Sequence, residues 1–324
     1  MKKNHRSKLL AIATVTVLLS GCAALTTRSL PKHILLRYKL VPNESLKYKA
    51  VLNGSGRIEI RREQEATLKR KVGFTQTLFY NQTTAKRASD FSQIKLTYDD
   101  INIQVSIDDK EQPNVSANLE ASKQLLLNQN ITFLRSDRGE IKDIAGFDNI
   151  AQEFLRNKPL GEDKDVVIST GVFRSMNQFI QRSVSQNVRS FPEETVQKGH
   201  SWEEEIEQDI PMLGKVMSKY SGKLVGFEKV NNTLCAKIRY NHEMVTPLAA
   251  QEFKGMQFKQ KITGQGYHYF SIEGSKTAYL IKTTSRVSSD LEIQREMLKA
   301  DGTSETVKNI VSMKLDSIVE LIAP

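Results

Sequence analysis

From residue 46 to residue 60 every even position is apolar or glycine (Leu46, Tyr48, Ala50, Leu52, Gly54, Gly56, Ile58, Ile60), and the odd positions are mostly polar. Successive side chains of a strand point to opposite faces, so this period of two commits the stretch to one long strand with one face buried. The two glycines predict a bend or bulge within it. Ile94, Leu96 and Tyr98 alternate in the same way. After Asp99-Asp100 the register moves to Ile101, Ile103, Val105 and Ile107, which predicts a bulge or tight turn at the two aspartates. Asp108-Asp109-Lys110 reads as a turn. Residues 131–134, the turn Asp137-Arg138-Gly139 and a strand around Ile141 read as a hairpin.

Further on the period changes. Phe147, Ile150, Ala151, Phe154 and Leu155 recur at helical spacing, and residues 171–189 predict a second helix with Val172, Phe173, Met176, Phe179, Ile180, Val184 and Val188 along one stripe. Such a stripe lines a ligand groove or, as its commoner use, packs against a sheet. After Phe191-Pro192 strands return, over 201–210, 219–227, 234–240, 264–272, 278–291 and 307–321, with turn signals at Asn231-Asn232 and Glu273-Gly274 and a short helix expected over 247–254. The order strands, helices, strands predicts an α+β fold, mainly antiparallel β, with two curved β-sheet halves bridged by a central amphipathic helical segment. The halves echo each other faintly, residues 42–46 resembling 198–202 in each leading into a strand.

The N-terminus carries the most specific motif. Lys2, Lys3, Arg6 and Lys8 precede an uncharged apolar run from Leu9 to Leu19. A run of that length falls well short of the roughly 20 residues a spanning helix needs, and it has the length of a signal-peptide core. Leu19-Ser20-Gly21-Cys22 follows, and this resembles the lipobox of bacterial lipoproteins. The resemblance implies cleavage before Cys22, attachment of diacylglycerol to its thiol and, in many members, acylation of the new amine. Ala23, in place of Asp, implies an outer-membrane anchor facing the periplasm in enteric bacteria, or the outer face of the plasma membrane in a Gram-positive source. The expected organisation is a cleaved signal at 1–21, a lipidated N-terminus and tether at 22–34, a β-rich half at 35–145, helices at 146–190 and a second β-rich half at 191–324.

Composition narrows the function classes. Loss of the four basic signal residues takes the formal charge from +10 to +6, and the remaining basic residues are scattered. No Arg-rich helix or basic-aromatic alternation marks a nucleic-acid footprint, so that partner is not expected. With Cys22 lipidated, Cys235 is the one remaining thiol, which precludes an internal disulfide. It reads as a small filler on the more polar face of a strand, away from any activating histidine.

No constellation names a reaction. His33, His200, His242 and His268 show no pair at the spacing that places two imidazoles on one helical face, so no metal site is expected, and no cofactor-binding loop occurs. His268 shares parity with Gly264, Gly266, Phe270 and Ile272 and reads as a core or edge histidine. Gly264-Gln265-Gly266 marks a bulge or close backbone packing. Glu203, Glu205 and Glu207 alternate on a solvated strand face, and Trp202 anchors the start of that strand.

Two functions stay open. One is a non-catalytic module that binds a lipid or other hydrophobic ligand, or docks on an envelope protein, while acyl chains on Cys22 hold it to the membrane. The element order is similar to that of periplasmic carriers of lipids and lipoproteins, whose concave antiparallel sheets are covered by helices. The alternative is an envelope hydrolase with a dispersed Asp/Glu/His site, which requires His242 or His268 beside an acid in an open cleft.

Overall fold

The computed structural model describes residues 30–62, 67–88, 90–111, 123–124, 126–127, 129–146, 190–210, 214–246, 252–253, 256–272, 278–298 and 303–323. The chain divides into a short unit, residues 1–32, and a large one, residues 33–324. The large unit is built on thirteen strands: β1 (Ser45–Arg62), β2 (Leu68–Ala88), β3 (Phe91–Ile107), β4 (Lys110–Glu111), β5 (Asn130–Ser136), β6 (Ile141–Ala145), β7 (Ser201–Ile210), β8 (Gly214–Val230), β9 (Thr233–Thr246), β10 (Glu252–Phe253), β11 (Met256–Ser271), β12 (Leu280–Leu298) and β13 (Ser304–Ala323).

All thirteen belong to one open antiparallel sheet with the order β6-β5-β3-β2-β1-β13-β12-β11-β9-β8-β7, while β4 pairs with β3 and β10 with β11. The expected pair of curved halves is therefore corrected. Each half is a meander as its alternation predicts, but β1 and β13 pair almost along their full length, from Lys47↔Ala323 to Arg62↔Val307, and fuse them. Both first and last strands thus lie at the centre of the sheet. The chain passes from one edge, β6, to the opposite edge, β7. The α+β assignment is overturned as well. Lys123, Gln124, Leu126 and Leu127 are the only helical residues among those described, and the helices expected at 147–189 fall outside the described residues. Glu252 and Phe253, expected in a short helix, form β10 instead.

Local chemistry sets the turns. Asp108 and Asp109 have φ of 50° and 63°, Asn231 and Asn232 of 49° and 64°. Two consecutive left-handed residues make the type I′ turn whose twist suits a tight hairpin, and Asn and Asp tolerate that region best after glycine. The bulge expected at Asp99-Asp100 is present, because Tyr80 pairs with Tyr98 and Phe79 with Asp100, leaving Asp99 unmatched.

The core lies on one face of the sheet, toward one end. Leu46, Tyr48, Ala50 and Leu52 of β1 join Leu78, Ile94, Leu96, Ile131 and Phe133 on one side and Leu224, Ile238 and Phe270 on the other. Leu36, Tyr38, Leu40, Phe191 and Val196 belong to the same cluster. They come from two extended segments, residues 33–44 and 190–200, that cross this inner face and tie the ends of distant strands together. The Tyr38 amide donates to Asp137 O in the β5–β6 turn, Lys39 bridges to Ala278 just before β12, and Ile34 bridges to Val196. The two straps close over the inner face of the sheet at that end.

Candidate functional site

The strands outrun this core. At ~3.3 Å per residue the longest, β2, extends roughly 70 Å, yet the main cluster takes from β1 only residues up to Leu52. Beyond it the same face continues in register: Gly56 pairs with Met313, Ile58 with Val311 and Ile60 with Asn309, while Val311 pairs with Leu291 and Asn309 with Ile293. Ile58, Ile60, Leu291, Ile293, Val311 and Met313 are all only partly buried and belong to none of the packed clusters among the described residues. Val287, Ile262 and Met244 form a small satellite cluster nearby. The inner face is thus solid at one end, while toward the other its apolar row is only partly buried as far as Val307, which is buried again at 2% exposure.

The closed end combines aromatic packing with buried polar groups. Tyr38 stacks on Phe191 at 5.5 Å and meets Phe270 edge-on at 5.0 Å. Tyr48 stacks on Tyr80 across the β1–β2 ladder at 5.4 Å, and its hydroxyl donates to Leu280 O at 3.1 Å. Arg135 of β5 lies beneath, 5% exposed, with its guanidinium over the rings of Tyr38 and Phe133 at 5.0 and 5.2 Å. Burial pushes the hydroxyls of Tyr38, Tyr48, Tyr80 and Tyr98 up from their ordinary range, and the opposing pull of Arg135 on the first three does not reverse that. These phenols are neutral donors at every physiological pH.

The outer face near Gly264 carries a depression of about 550 Å³ bordered by Glu205, Lys219, Glu243 and Arg286. Its charges pair with neighbours, Lys219 with Glu205 at 2.7 Å, Lys261 with Glu243 at 3.3 Å and Arg286 with Asp316 at 2.7 Å. Exposed pairs of this kind are those of a solvated sheet surface, as the alternation of Glu203, Glu205 and Glu207 predicts.

The candidate chemical residues are dispersed. His268 is 8% exposed, stacked on Tyr240 at 4.2 Å, and its Nδ1 lies 2.9 Å from Thr283 Oγ1. His242 faces Tyr220 and Gly264 across its ladders, and Glu204 is one strand further on. His200 lies in the loop before β7, 3.5 Å from Glu194. No group of three His, Cys, Asp or Glu side chains converges on a metal-sized site among the described residues. Cys235 is fully buried with Tyr269 and Ile281, a filler as expected, and Cys22 lies outside the described residues. Sequence reasoning missed Arg135 and Tyr80. The first follows the apolar inner row Ile131 and Phe133 of β5, and the second belongs to β2, whose inner row is interrupted by Gln76 and Gln82.

A family of unknown function, DUF6263, has a model that matches residues 83–277. No curated protein matches the sequence. Among solved structures, lipovitellin aligns with 88% of this chain at 10% identity and a TM-score of 0.36, and the chain spans about a quarter (26%) of its length. OpdQ of Pseudomonas aeruginosa aligns over 86% of this chain and 100% of its own at 7% identity, with a TM-score of 0.20. A LolA superfamily protein of Nitrosomonas europaea aligns over 88% and 90% at 7% identity and 0.15. Scores this low transfer neither fold nor function.

Proposed function

With the chain belonging to the family of unknown function DUF6263, we propose that it is a lipid-anchored envelope protein whose sheet holds a hydrophobic ligand, an acyl-chain lipid, without catalysing a reaction. The observation that carries this reading is the apolar inner face beyond the core. Ile58, Ile60, Leu291, Ile293, Val311 and Met313 alternate inward on the three central strands, yet remain partly exposed. A strand has no folding reason to extend an apolar row past its core, because each methylene left wet forgoes about 0.8 kcal/mol. An elongated trough of that chemistry accepts an alkyl chain laid across or along the strands.

The anchor completes the reading. Acyl chains on Cys22 would hold the protein to the outer membrane facing the periplasm, since two or more chains bind stably where one does not. The dozen or so residues between Cys22 and Leu35 would keep the sheet close to the lipid surface.

Mass spectrometry of the full protein purified gently from its native membranes tests both parts. The expected result is a diacylglyceryl-modified Cys22 peptide and co-purifying lipid, the lipid lost in an Ile58→Asp, Val311→Asp variant that stays folded. An unmodified residue 22 overturns the anchor. Lipid retained by the folded double variant, or absent from the wild type, overturns the ligand.

A further inference from the structure

Arg135 is a buried cation that has no counter-charge among the described residues. Its guanidinium carries five N–H donors in one plane and does not deprotonate in proteins. Among the described residues it meets no carboxylate, and its one hydrogen bond is a long one, from Nη1 to Gln82 Oε1 at 3.4 Å. Its Nε is buried with no hydrogen-bond partner. The rings of Tyr38 and Phe133 attract the cation but take none of its in-plane protons. The nearest acid in sequence, Asp137, pairs with Arg37 at 3.5 Å. The tyrosines cannot serve as phenolates, since burial raises their pKa values. A buried charge left in this condition is strongly destabilising.

The same side chains enclose a small cavity. Tyr38, Tyr48, Tyr80, Gln82, Arg135 and Leu280 surround about 10 Å³, room for one water-sized occupant. With the Gln82 carbonyl oxygen turned to Arg135, its amide nitrogen is left to donate elsewhere, and Tyr80 brings a neutral hydroxyl. Among the lining residues the Arg135 guanidinium, the Gln82 amide nitrogen and the Tyr80 hydroxyl carry donors, while Gln82 Oε1 accepts from Arg135 and Leu280 O from the Tyr48 hydroxyl.

We propose that this cavity binds one small monovalent anion of halide size, held by Arg135 and the Tyr80 hydroxyl. The volume is too small for phosphate, sulfate or a lipid carboxylate. The bound anion neutralises Arg135 and joins β5, β2 and the 33–44 strap, so the closed end of the sheet is stabilised in proportion to halide occupancy. This site is independent of the ligand proposed for the open end.

The test is thermal unfolding of the full purified protein in sodium chloride against sodium gluconate at constant ionic strength. The expected midpoint rises with chloride and saturates, bromide reproduces the rise, and gluconate does not. Arg135→Met removes the chloride-specific rise, and Tyr80→Phe moves its half-saturation at least about five-fold higher. Identical curves in chloride and gluconate for the wild type would mean that the cavity holds water and would overturn the proposal. A chloride-specific rise that persists in Arg135→Met would also overturn it, by placing the anion elsewhere. Should Arg135→Met fail to fold, chloride-35 line broadening by the wild type, reversed by bromide and weakened in Tyr80→Phe, decides; no broadening, or broadening unchanged in Tyr80→Phe, rejects the site.

Discussion

Gly266 and Gly54 both lie on the inner face of the sheet, but a methyl group would meet different things at the two positions. A Cβ on Gly266 would sit 1.9 Å from Thr284 O and 2.9 Å from Ser285 Cα, both backbone atoms of the paired strand. One on Gly54 would sit 2.1 Å from the ring of Phe74, a side chain that is only partly buried and can swing aside. Gly266→Ala is therefore expected to destabilise the protein by about 1–3 kcal/mol, the range for overpacking, and Gly54→Ala by less; urea midpoints of the two variants check the order. The close packing at Gly266 was legible in the sequence as a glycine pair inside a strand. Asp108 gives a pH signature of its own. The Lys71 backbone N–H and then the Arg70 guanidinium hold its carboxyl below its ordinary value of 3.8. A carboxyl depressed on folding contributes stability above its unfolded pKa and loses it as the pH falls through the folded one. Against Asp108→Asn, the wild type should thus keep a constant advantage from neutral pH down to the upper acid range. That advantage should shrink as the pH drops below 3.8, as urea unfolding across pH will show.

Among the elements, the straps are the parts whose role no local pattern announces. Residues 33–44 have no period of their own, yet Leu36, Tyr38 and Leu40 are core residues because each meets strands far away in the chain. Tyr38→Ala removes a buried ring stacked against Phe191 and Phe270 and should destabilise by about 3–5 kcal/mol. Hydrogen exchange should accelerate first in residues 33–44 and 190–200 and only weakly in β13, whose inner residue Val319 keeps its β1 partners. β2 shows the opposite limit of legibility. Its inner row reads Val72, Phe74, Gln76, Leu78, Tyr80, Gln82, so the two buried glutamines break the apolar alternation that revealed β1. Strand identity there comes from pairing with β1 and β3 on both sides, a tertiary cause that a period count does not see. The turns were readable because their chemistry is local: Asn231-Asn232 and Asp108-Asp109 carry their conformation in their own side chains. Of the site, the apolar alternation of β1 was legible, and the buried Arg135 was not, since its surroundings are assembled from four separate segments.

At the scale of the molecule, the order of strands decides how the protein folds and what breaks it. Within each half every ladder joins near neighbours in sequence, but the β1–β13 ladder joins Lys47 to Ala323 and Arg62 to Val307. Neither end of the chain can complete the sheet until the other is present, so the loop-closure entropy of the whole chain must be met before this ladder contributes. The two β-rich halves of the sequence are for that reason not two folding units of equal standing. β1 lies at the centre and β7 at an edge, although both open their halves. A chain ending before Ser304 tests this directly. It would lose β13, expose the full lengths of β1 and β12 as unpaired edges, and leave Ala50 and Leu52 without the neighbours that bury them. Open edges of this length pair with other chains. The truncated protein should therefore show no cooperative unfolding transition and should sediment as aggregate. The full chain should refold in one slow phase, on the order of seconds or longer as expected for non-local β pairing. A truncated chain that stays monomeric and unfolds cooperatively would show that the halves are self-sufficient sheets and that the central ladder is a later addition to them.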